Sequence, residues 1–468
     1  MKGHGSLDYI YTTLENSCGS RGWTVAELDF LIICGDFQEH IARPIFDLGL
    51  LLTHLQAARN EADLNCMSIP QRYRNMGDFH EYYSGQKQAP VLTLVIGGNH
   101  ETSNYFSELR YGGWLAPRIY YLGAANVLRY GPIRIAGLSG IFHPGDYEKP
   151  HHERLPYDRN EIRSIYHVRE CDVSKLLQVQ SPVDIGLSHD WPRRVEWFGD
   201  YNLLFRRRPH FLESAKIDSL GSPPAEQVMN HLRPRYWFSG HMHIKYSAVI
   251  DHDNNETEDI FEHLDLPHEL LAQLPKSMFR ATFGEKENEA ARLPRPTTTN
   301  TVTRFLALDK PGPYRDFLEL VEIDPNCYLT DTPANPYMKK SPAGKFFLYY
   351  DEEWLSIIRS SVTSTAASDE FLAIETSKSS TSSPPSDLAG RSWIQTNITS
   401  KGLLQIPENF EQHAPTYDPN HRIGIDKQPC EFPNSQTEAF CTMLGFQDNF
   451  SASEDVDVDE GGEYVVFG

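Results

Sequence analysis

The stretch Leu94–Ser103, LVIGGNHETS, places an amide, an imidazole and a carboxylate directly after a short apolar run. The run is rich in β-branched residues and leucine, which favours a buried strand. Gly97 and Gly98 then let the backbone turn sharply and approach other segments closely. The stretch therefore predicts a strand whose carboxyl end carries Asn99 and His100 into a site, as in α/β proteins.

Further apolar runs of strand length end in glycine or polar residues, and stretches of helical character lie between them. This alternation predicts an α/β fold whose sheets are buried on one or both faces. The predicted strands are Leu28–Cys34, Val91–Ile96, Ile133–Leu138, Val183–Leu187 and Tyr236–Ser239, and two predicted helices are Leu7–Asn16 and Ala225–Leu232.

Composition excludes several classes of protein. The 468 residues carry a formal net charge of −21, which argues against indiscriminate binding to nucleic-acid backbones. A nucleic-acid substrate would need a local basic patch or metal ions. The seven cysteines never form a C-x-x-C pair, so reduced thiols in an intracellular protein are expected. No apolar run approaches the roughly 18–20 residues of a membrane span, and the N-terminus has no signal-peptide core.

Four of the predicted strands end in side chains that can bind a divalent cation. Carboxylate, amide and imidazole groups suit Zn, Fe or Mn, and one carboxylate can bridge two ions. Two ions about 3.5–4 Å apart can polarise a phosphoryl group and activate water for in-line attack. The candidate ligands are Asp36 (the bridging candidate), Asn99, His189, His241 and His243, with His4 of the KGHG segment near the N-terminus. His100 follows a ligand directly and can protonate the departing oxygen as a general acid.

Each of these signals has a simpler explanation when it stands alone. A strand-terminal aspartate such as Asp36 usually caps a turn, an H-x-H pair is often a surface pair, and His189 could be a buried polar group. The ordered combination, with each element after an apolar run, favours the metal site. For His143, His151 and His152, which lie in a polar loop, a surface position is as well supported as a functional one.

The order G-D, G-N-H-E, strand-end His and G-H-x-H resembles the calcineurin-like metallophosphoesterases over about residues 1–250. Protein Ser/Thr phosphatases carry an arginine before N-H-E, whereas Gly98 stands there in this chain. Longer strings extend a more specific resemblance, to the RNA lariat debranching enzyme family, over most of the chain. Among them are GLSGIF, IRSIYHVR, LSHDWP, TRFLALDK, RDFLELVEI and YYDEEWL.

This resemblance implies a metallophosphoesterase β-sandwich flanked by helices, with a C-terminal accessory domain. It implies hydrolysis of the 2′–5′ phosphodiester bond at the branch point of excised intron lariat RNA, in the nucleus, with shuttling to the cytoplasm left open. It also implies two divalent ions, Fe2+, Zn2+ or Mn2+, on the six candidate ligands, with His100 as the acid. The segment 139–169 would recognise the branch, and its expected substrate-binding residues are Tyr147, Arg163, Tyr166, His167 and Arg169.

Other functions stay open at this point. Tyrosines can stack on bases and arginines can meet phosphates, but an ordinary solvated loop has a similar composition. Within enzymology the alternative is a general phosphodiesterase acting on nucleotides. Outside it, the alternative is a non-catalytic scaffold that keeps the fold for protein binding.

The predicted organisation has five parts. These are a catalytic domain at 1–250, a first part of the C-terminal domain at 251–359, a disordered Ser/Thr/Pro-rich linker at 360–400, a last part of the C-terminal domain at 401–446, and an acidic tail at 447–468 that could bind protein partners.

This chain differs from the family pattern at two places, and each difference leads to a further expectation. The family begins with an apolar strand ending G-C-x-H-G, whereas Lys2 holds the cysteine position here and that strand is absent. We therefore expect an N-terminally incomplete chain that, as written, binds metal weakly and is nearly inactive. Residues 39–56 form an insertion that either extends a helix or is foreign to the mature protein.

Overall fold

A computed structural model describes residues 7–36, 57–253, 300–323, 335–371, 388–420 and 427–448. Several predictions fall on other residues and therefore lie outside the described ranges. They concern His4, the replacement at Lys2, the insertion 39–56 and all but the first two residues of the acidic tail.

Within these ranges the chain forms eleven strands and eleven helices. The strands are β1 Phe30–Ile33, β2 Leu92–Val95, β3 Gly113–Ala116, β4 Ile119–Tyr121, β5 Ala125–Tyr130, β6 Ile133–Leu138, β7 Ile185–Ser188, β8 Tyr236–Ser239, β9 Tyr246–Asp251, β10 Val302–Ala307 and β11 Leu348–Tyr350. The helices are α1 Leu7–Ser20, α2 Phe79–Tyr83, α3 Ser103–Glu108, α4 Glu161–Ser164, α5 Glu170–Leu176, α6 Tyr201–Arg207, α7 Pro209–Lys216, α8 Pro223–Leu232, α9 Glu352–Phe371, α10 Leu388–Asn397 and α11 Ser435–Leu444.

The strands form two mixed sheets. One has the order β1-β2-β4-β3, and the other has the order β11-β5-β6-β7-β8-β10-β9. β1 runs parallel to β2, with Ile33 opposite Val95, and β7 runs parallel to β8, with Ser188 opposite Ser239. Parallel neighbours end at the same edge of a sheet, so the segments after β1 and β2 emerge together, and so do those after β7 and β8 in the other sheet. The five predicted strands and both predicted helices are confirmed.

The two sheets pack face to face with helices outside them. Leu94 of β2, Leu128 of β5 and Ile185 of β7 belong to one buried cluster between the sheets. The next residue along β2, Val95, packs outward with α1, α2 and α3, and Val127 of β5 packs outward with α5 and α8. Successive strand residues point to opposite faces, so each strand contributes to two apolar layers. The structure is therefore the predicted β-sandwich flanked by helices.

The larger sheet includes strands from beyond residue 250. β10 is parallel to β8, with Leu306 opposite Phe238, and β11 pairs antiparallel with β5. Further along, α11 packs near β3, where the Gln436 side chain accepts a hydrogen bond from Trp114 N at 2.7 Å and donates to Trp114 O at 3.0 Å. A division of the chain at residue 250 thus separates strands that are hydrogen-bonded to one another.

Both ends of the predicted linker 360–400 are helical, which corrects its extent. α9 reaches residue 371, and α10 buries Ile394 in the core beside Trp354 and Ile358. The two helices approach closely at Gly390, where a Cβ would lie 2.6 Å from Ser356 Oγ. α9 begins before the predicted linker, where Trp354, Leu355 and Ile358 recur at helical spacing and are buried. Residues 372–387 lie outside the described ranges.

A cavity lies between β1 and the 306–323 segment. In the part of the chain that the structure describes, β2 is the one hydrogen-bonded neighbour of β1. The cavity, of about 760 Å³, is lined by Leu31 and Ile33 of β1 and by Leu306, Leu318 and other residues of the 306–323 segment. The expected first strand falls on residues outside the described ranges, so its absence stays a prediction.

Candidate metal centre and recognition loop

The carboxylate of Asp36 stands at the centre of the site. It follows β1 through Gly35 at φ +77°, and Asp36 itself has φ +43°. Its Oδ1 accepts hydrogen bonds from the backbone N–H groups of Asn99 at 2.9 Å and His100 at 3.1 Å. These two bonds orient the carboxylate so that Oδ2 faces the ends of the other strands.

Two glycines allow the strand ends to meet. A Cβ on Gly98 would lie 2.2 Å from the backbone N of Asp36, and a Cβ on Gly35 would lie 2.5 Å from Nδ1 of His189. Neither distance can be accommodated by a real side chain. The Gly98 N–H donates to Glu101 Oε1 at 3.1 Å, so the buried Glu101 holds the turn. The glycines after β1 and β2 are therefore required for the site to close.

His189 lies at the end of β7 and is completely buried. Its Nδ1 donates to the Cys34 carbonyl at 2.8 Å, which leaves Nε2 with a lone pair. That Nε2 lies 3.3 Å from Oδ2 of Asp36 and 3.1 Å from Oδ1 of Asn99. Because the three atoms are all acceptors, a proton or a cation has to lie among them.

The two histidines after β8 complete the set. His241 and His243 have positive φ values of +61° and +52°, which turn the chain back toward β7. Nδ1 of His241 is buried and makes no hydrogen bond to any described residue, and its ring centroid is 5.0 Å from that of His189. Nε2 of His243 lies 3.9 Å from Oδ2 of Asp36. Ligand atoms of Asp36, His189 and His241 all lie within 4.8 Å of one another.

The electrostatics of this group fit a cation. Burial would lower the pKa of His189, but the Asp36 carboxylate and the Cys34 carbonyl raise it to about 9. Burial would raise the pKa of Asp36, but the charge of His189 and hydrogen bonding to it hold that pKa well below the usual value. Burial, with the neighbouring charge of His189, lowers the pKa of His241 to about 3. A carboxylate, the neutral imidazole of His241 and the imidazole of His189, once it has lost its proton, are donors that suit a borderline divalent ion.

Metal binding should therefore release a proton. His189 holds a proton below its pKa of about 9, and a metal must displace it. We expect the affinity for Mn2+ to rise about tenfold per pH unit between about pH 6.5 and 8.5, and to level off as the pH passes that pKa. Calorimetric titration in buffers of different ionisation enthalpy measures both quantities. An affinity that does not change over this range would contradict the placement of His189 in the centre.

His100 lies beside the ligands, as predicted. Its Nε2 is 3.4 Å from Nδ2 of Asn99, and its Nδ1 is buried with no hydrogen bond among the described residues. Its backbone N–H is fixed by Asp36, so the ring stands at the edge of the centre. The structure thus brings together Asp36, Asn99, His100, His189, His241 and His243.

Some groups that hold the ligands in place were not singled out from the sequence. Trp191 Nε1 donates to the Gly240 carbonyl at 3.0 Å, and Gly240 N donates to the His189 carbonyl at 3.0 Å. Arg208 Nη2 donates to the His243 carbonyl at 3.1 Å. Trp191 could have been noticed in the string LSHDWP, where it stands two residues after His189. The role of Arg208 could not be seen, since it lies 35 residues before His243.

The predicted recognition loop is anchored to the strand end that carries Asn99. Gly140 N donates to the Gly97 carbonyl at 2.8 Å. At the other end of the loop, the Tyr166 side chain is hydrogen-bonded to Ser68, whose Oγ donates to the Asn99 carbonyl at 2.8 Å. The loop therefore borders the metal ligands directly.

The five predicted substrate-binding residues separate into two groups. Arg163 is exposed and its charge acts on the half-buried Tyr166, which is linked to Asn99 through Ser68. Both side chains are therefore accessible at the end of the loop that borders the centre. Arg169 is fully buried, pairs with Glu153 and donates to the Asp146 carbonyl, so it holds the loop together and has no surface for a phosphate. This corrects the expectation for Arg169.

His167 and Tyr147 also support the loop. His167 is 9% exposed, and its Nδ1 lies 2.8 Å from Oδ2 of Asp146. The exposed His143 stacks on it at 4.7 Å and contacts the same oxygen. Tyr147 packs edge-to-face on Phe142 at 5.6 Å. Since Asp146 satisfies both imidazoles, this cluster organises the loop.

Comparisons with known proteins agree with this geometry. The family model for calcineurin-like phosphoesterases matches residues 3–245, and that for the C-terminal domain of lariat debranching enzymes matches residues 300–449. The lariat debranching enzyme of Homo sapiens is 37% identical over 95% of this chain and 68% of its own. That of Schizosaccharomyces pombe is 36% identical over 95% and 94%, and lariat debranching enzyme A of Xenopus laevis is 36% identical over 98% and 73%.

Two packed sheets with aspartate, asparagine and histidines at their adjoining strand ends define a calcineurin-like phosphoesterase, a metal-dependent hydrolase of phosphoester bonds. The C-terminal region, residues 300–449, also matches lariat debranching enzymes, as the relatives above do over most of the chain. The chain belongs to the lariat debranching enzyme family. None of the described helices has the length and apolar character needed to cross a bilayer.

Proposed function

We propose that this chain hydrolyses the 2′–5′ phosphodiester bond at the branch point of excised lariat RNA and releases a linear intron. The observation that carries this proposal is the position of the loop 139–169. The loop is hydrogen-bonded to Gly97 directly and to the candidate ligand Asn99 through Ser68. Tyr166 of that loop offers an aromatic ring linked to Asn99 through Ser68, and Arg163 offers a cation close to that tyrosine. A single-stranded branch can be splayed over such groups, whereas a duplex cannot.

The ligands divide the work of holding two ions. Asp36, whose Oδ2 faces His189 and His243, would hold the ions together with those two histidines, Asn99 and His241. His4 remains a proposed further ligand outside the described ranges. When bound, the ions neutralise charge on the phosphoryl group and activate water. We propose Fe2+, Zn2+ or Mn2+ as the ions, since the donor set contains imidazole and oxygen groups but no thiolate.

The protein fixes the reacting groups around the phosphate. The backbone N–H groups of Asn99 and His100 hold Asp36, so the carboxylate, the amide ligand and the acid candidate move as one unit. The His100 ring lies beside the Asn99 amide, and only the backbone N–H of His100 is hydrogen-bonded to Asp36. The ring is therefore placed to give a proton to the departing 2′-oxygen. Breaking the ester bond then leaves a free 2′-hydroxyl and a 5′-phosphate.

Replacing His100 by glutamine tests the acid role. The backbone bond to Asp36 persists and the side chain remains polar, so we expect unchanged metal content. The single-turnover rate on a 2′–5′ branched RNA should fall by about a hundredfold to a thousandfold, as for the loss of a positioned general acid. Rapid-quench kinetics and elemental analysis measure the two quantities.

A substrate with an activated leaving group distinguishes the loss of proton donation from a structural effect of the substitution. With a nitrophenolate ester of a nucleotide, whose departing oxygen needs no proton, the same substitution should cost much less. His80→Gln serves as the matched control, since His80 lies on α2 against Tyr417 and away from the ligands. An equal loss on both substrates would contradict the acid role.

A general nucleotide phosphodiesterase is the competing function. The two are separated by comparing a branched RNA with a linear 3′–5′ RNA and a small phosphodiester. We expect the branched RNA to be cleaved preferentially. A non-catalytic scaffold would bind metal and cleave none of the three.

The proposed location follows from the substrate, and the proposed protein partners follow from the acidic tail. Because lariats arise by splicing, we propose the nucleus, which imaging of a fluorescently tagged chain tests. The acidic tail 447–468 remains a proposed surface for protein partners, to be tested by pull-down with and without those residues.

A further inference from the structure

A cavity of about 290 Å³ opens beside the metal centre, on the side of His241 and His243. Three of its eight lining residues are the cations Arg208, Lys310 and Arg315, and none is acidic. In a chain of net charge −21, a cavity lined by three cations with one carboxylate, Asp309, paired to Arg315 is a local exception. Its charge suits an anion, and its position puts that anion next to the reacting phosphate.

The arginines of this cavity are held in fixed positions. Arg208 donates to the His243 carbonyl at 3.1 Å, so the cavity shares a wall with the metal ligands. Arg315 Nη1 pairs with Oδ1 of Asp309 at 2.7 Å, and Asp309 N donates to the Asp316 carbonyl at 3.0 Å. Because these bonds orient the cations before any ligand arrives, less conformational entropy is lost on binding.

An aromatic ring projects from the same loop. Tyr314 is fully exposed, at 107% of the reference area, and has φ +61°, a backbone conformation that non-glycine residues rarely adopt. Pro311 and Pro313 fix their own φ angles on its N-terminal side. The loop thus holds a tyrosine in solvent, in a disfavoured conformation, between Lys310 and Arg315. Strain of this kind is typical of ligand-binding segments.

We propose that the cavity and Tyr314 bind one RNA strand as it leaves the branch point. Lys310 and Arg315 would meet its phosphates, and Tyr314 would stack on a base, the combination that single-strand binding proteins use. The loop 139–169 lies on the side of Gly97 and Asn99, whereas this cavity lies on the side of His241 and His243. Two arms of a branched RNA would then be held on opposite sides of the centre. This inference rests on the proposed debranching function.

The test compares two branched RNAs, one with single-nucleotide arms and one with arms extended by about ten nucleotides, a span that covers an OB-type strand site. Binding is measured by fluorescence anisotropy in EDTA, so that no cleavage occurs. For wild type we expect the long-armed RNA to bind more tightly. Tyr314→Ala should reduce that advantage by about fivefold to tenfold, as for the loss of one base stack. Lys310→Gln/Arg315→Gln should also lower the salt slope of log Kd by about 1.4, or roughly 0.7 per lost phosphate contact.

The control is Lys339→Gln/Lys401→Gln, which removes the same charge from exposed positions that do not line the cavity. Its salt slope should match wild type, and thermal unfolding checks that every variant is folded. If the arm-length advantage survives in all variants, the cavity is not a strand site. Failure of wild type to cleave either RNA at saturating Mn2+, with binding intact, would instead overturn the debranching function. The two proposals are therefore tested separately.

Discussion

Replacing Asp36 by asparagine is expected to lower the rate of phosphodiester hydrolysis by about 10⁴-fold or more, the scale of losing a metal-dependent centre. Oδ1 must accept the two backbone N–H bonds from Asn99 and His100. The amide nitrogen would then point at Nε2 of His189 and donate to the lone pair that a metal requires. The substitution thus removes one ligand and occupies a second. Elemental analysis should show less than one bound ion per chain.

Asp200→Asn is the matched control for this change. Asp200 caps α6 by accepting a hydrogen bond from Leu203 N at 2.9 Å, and asparagine caps a helix equally well. We expect that variant to keep its metal content and its rate. Circular dichroism would confirm that the Asp36 variant is folded. Full metal occupancy in that variant, or activity above about 1% of wild type, would contradict the assignment.

The positions of the candidate metal ligands could be predicted in part, because they follow from local sequence and one rule of sheet geometry. Asp36, Asn99, His189 and His241 each follow an apolar run, and parallel strands end at a common edge. That rule accounts for Asp36 and Asn99 at the ends of β1 and β2, and for His189 and His241 at the ends of β7 and β8. The two pairs meet because the two sheets pack face to face. The glycines were also predictable as backbone turns. Their closeness to Asp36 and His189 was not, since it depends on how two sheets pack.

Features that depend on distant partners could not be predicted. Arg169 reads as a surface cation, but its partner Glu153 lies 16 residues earlier across the loop. The linker reads as disordered by composition, yet Ile394 and Trp354 are buried in the same core cluster. Arg208 and Lys310 are separated by about a hundred residues and meet at one cavity. In each case long-range packing decides the role, and local propensity carries no information about it.

Replacing Gly98 by alanine should abolish the centre without replacing any of the candidate ligands. The new Cβ would lie 2.2 Å from the backbone N of Asp36, 2.3 Å from its Oδ1 and 2.8 Å from Cε1 of His189. The backbone atoms cannot yield as a flexible side chain could, so the strand ends must separate. We expect hydrolysis to fall by about a thousandfold, and overpacking to cost about 1–3 kcal/mol of the free energy of unfolding. Metal titration, kinetics and urea denaturation measure these effects.

The neighbouring glycine provides the matched comparison. A Cβ on Gly97 would meet Phe106 Cδ1 at 3.3 Å and the Tyr121 hydroxyl at 3.4 Å, and both are ends of side chains that can shift slightly. Gly97→Ala adds the same methyl group one residue earlier, so a loss of no more than about threefold is expected. Equal losses at both positions would mean that the strand needs flexibility in general. A loss confined to Gly98 would mean that contact between the β1 and β2 ends builds the metal centre.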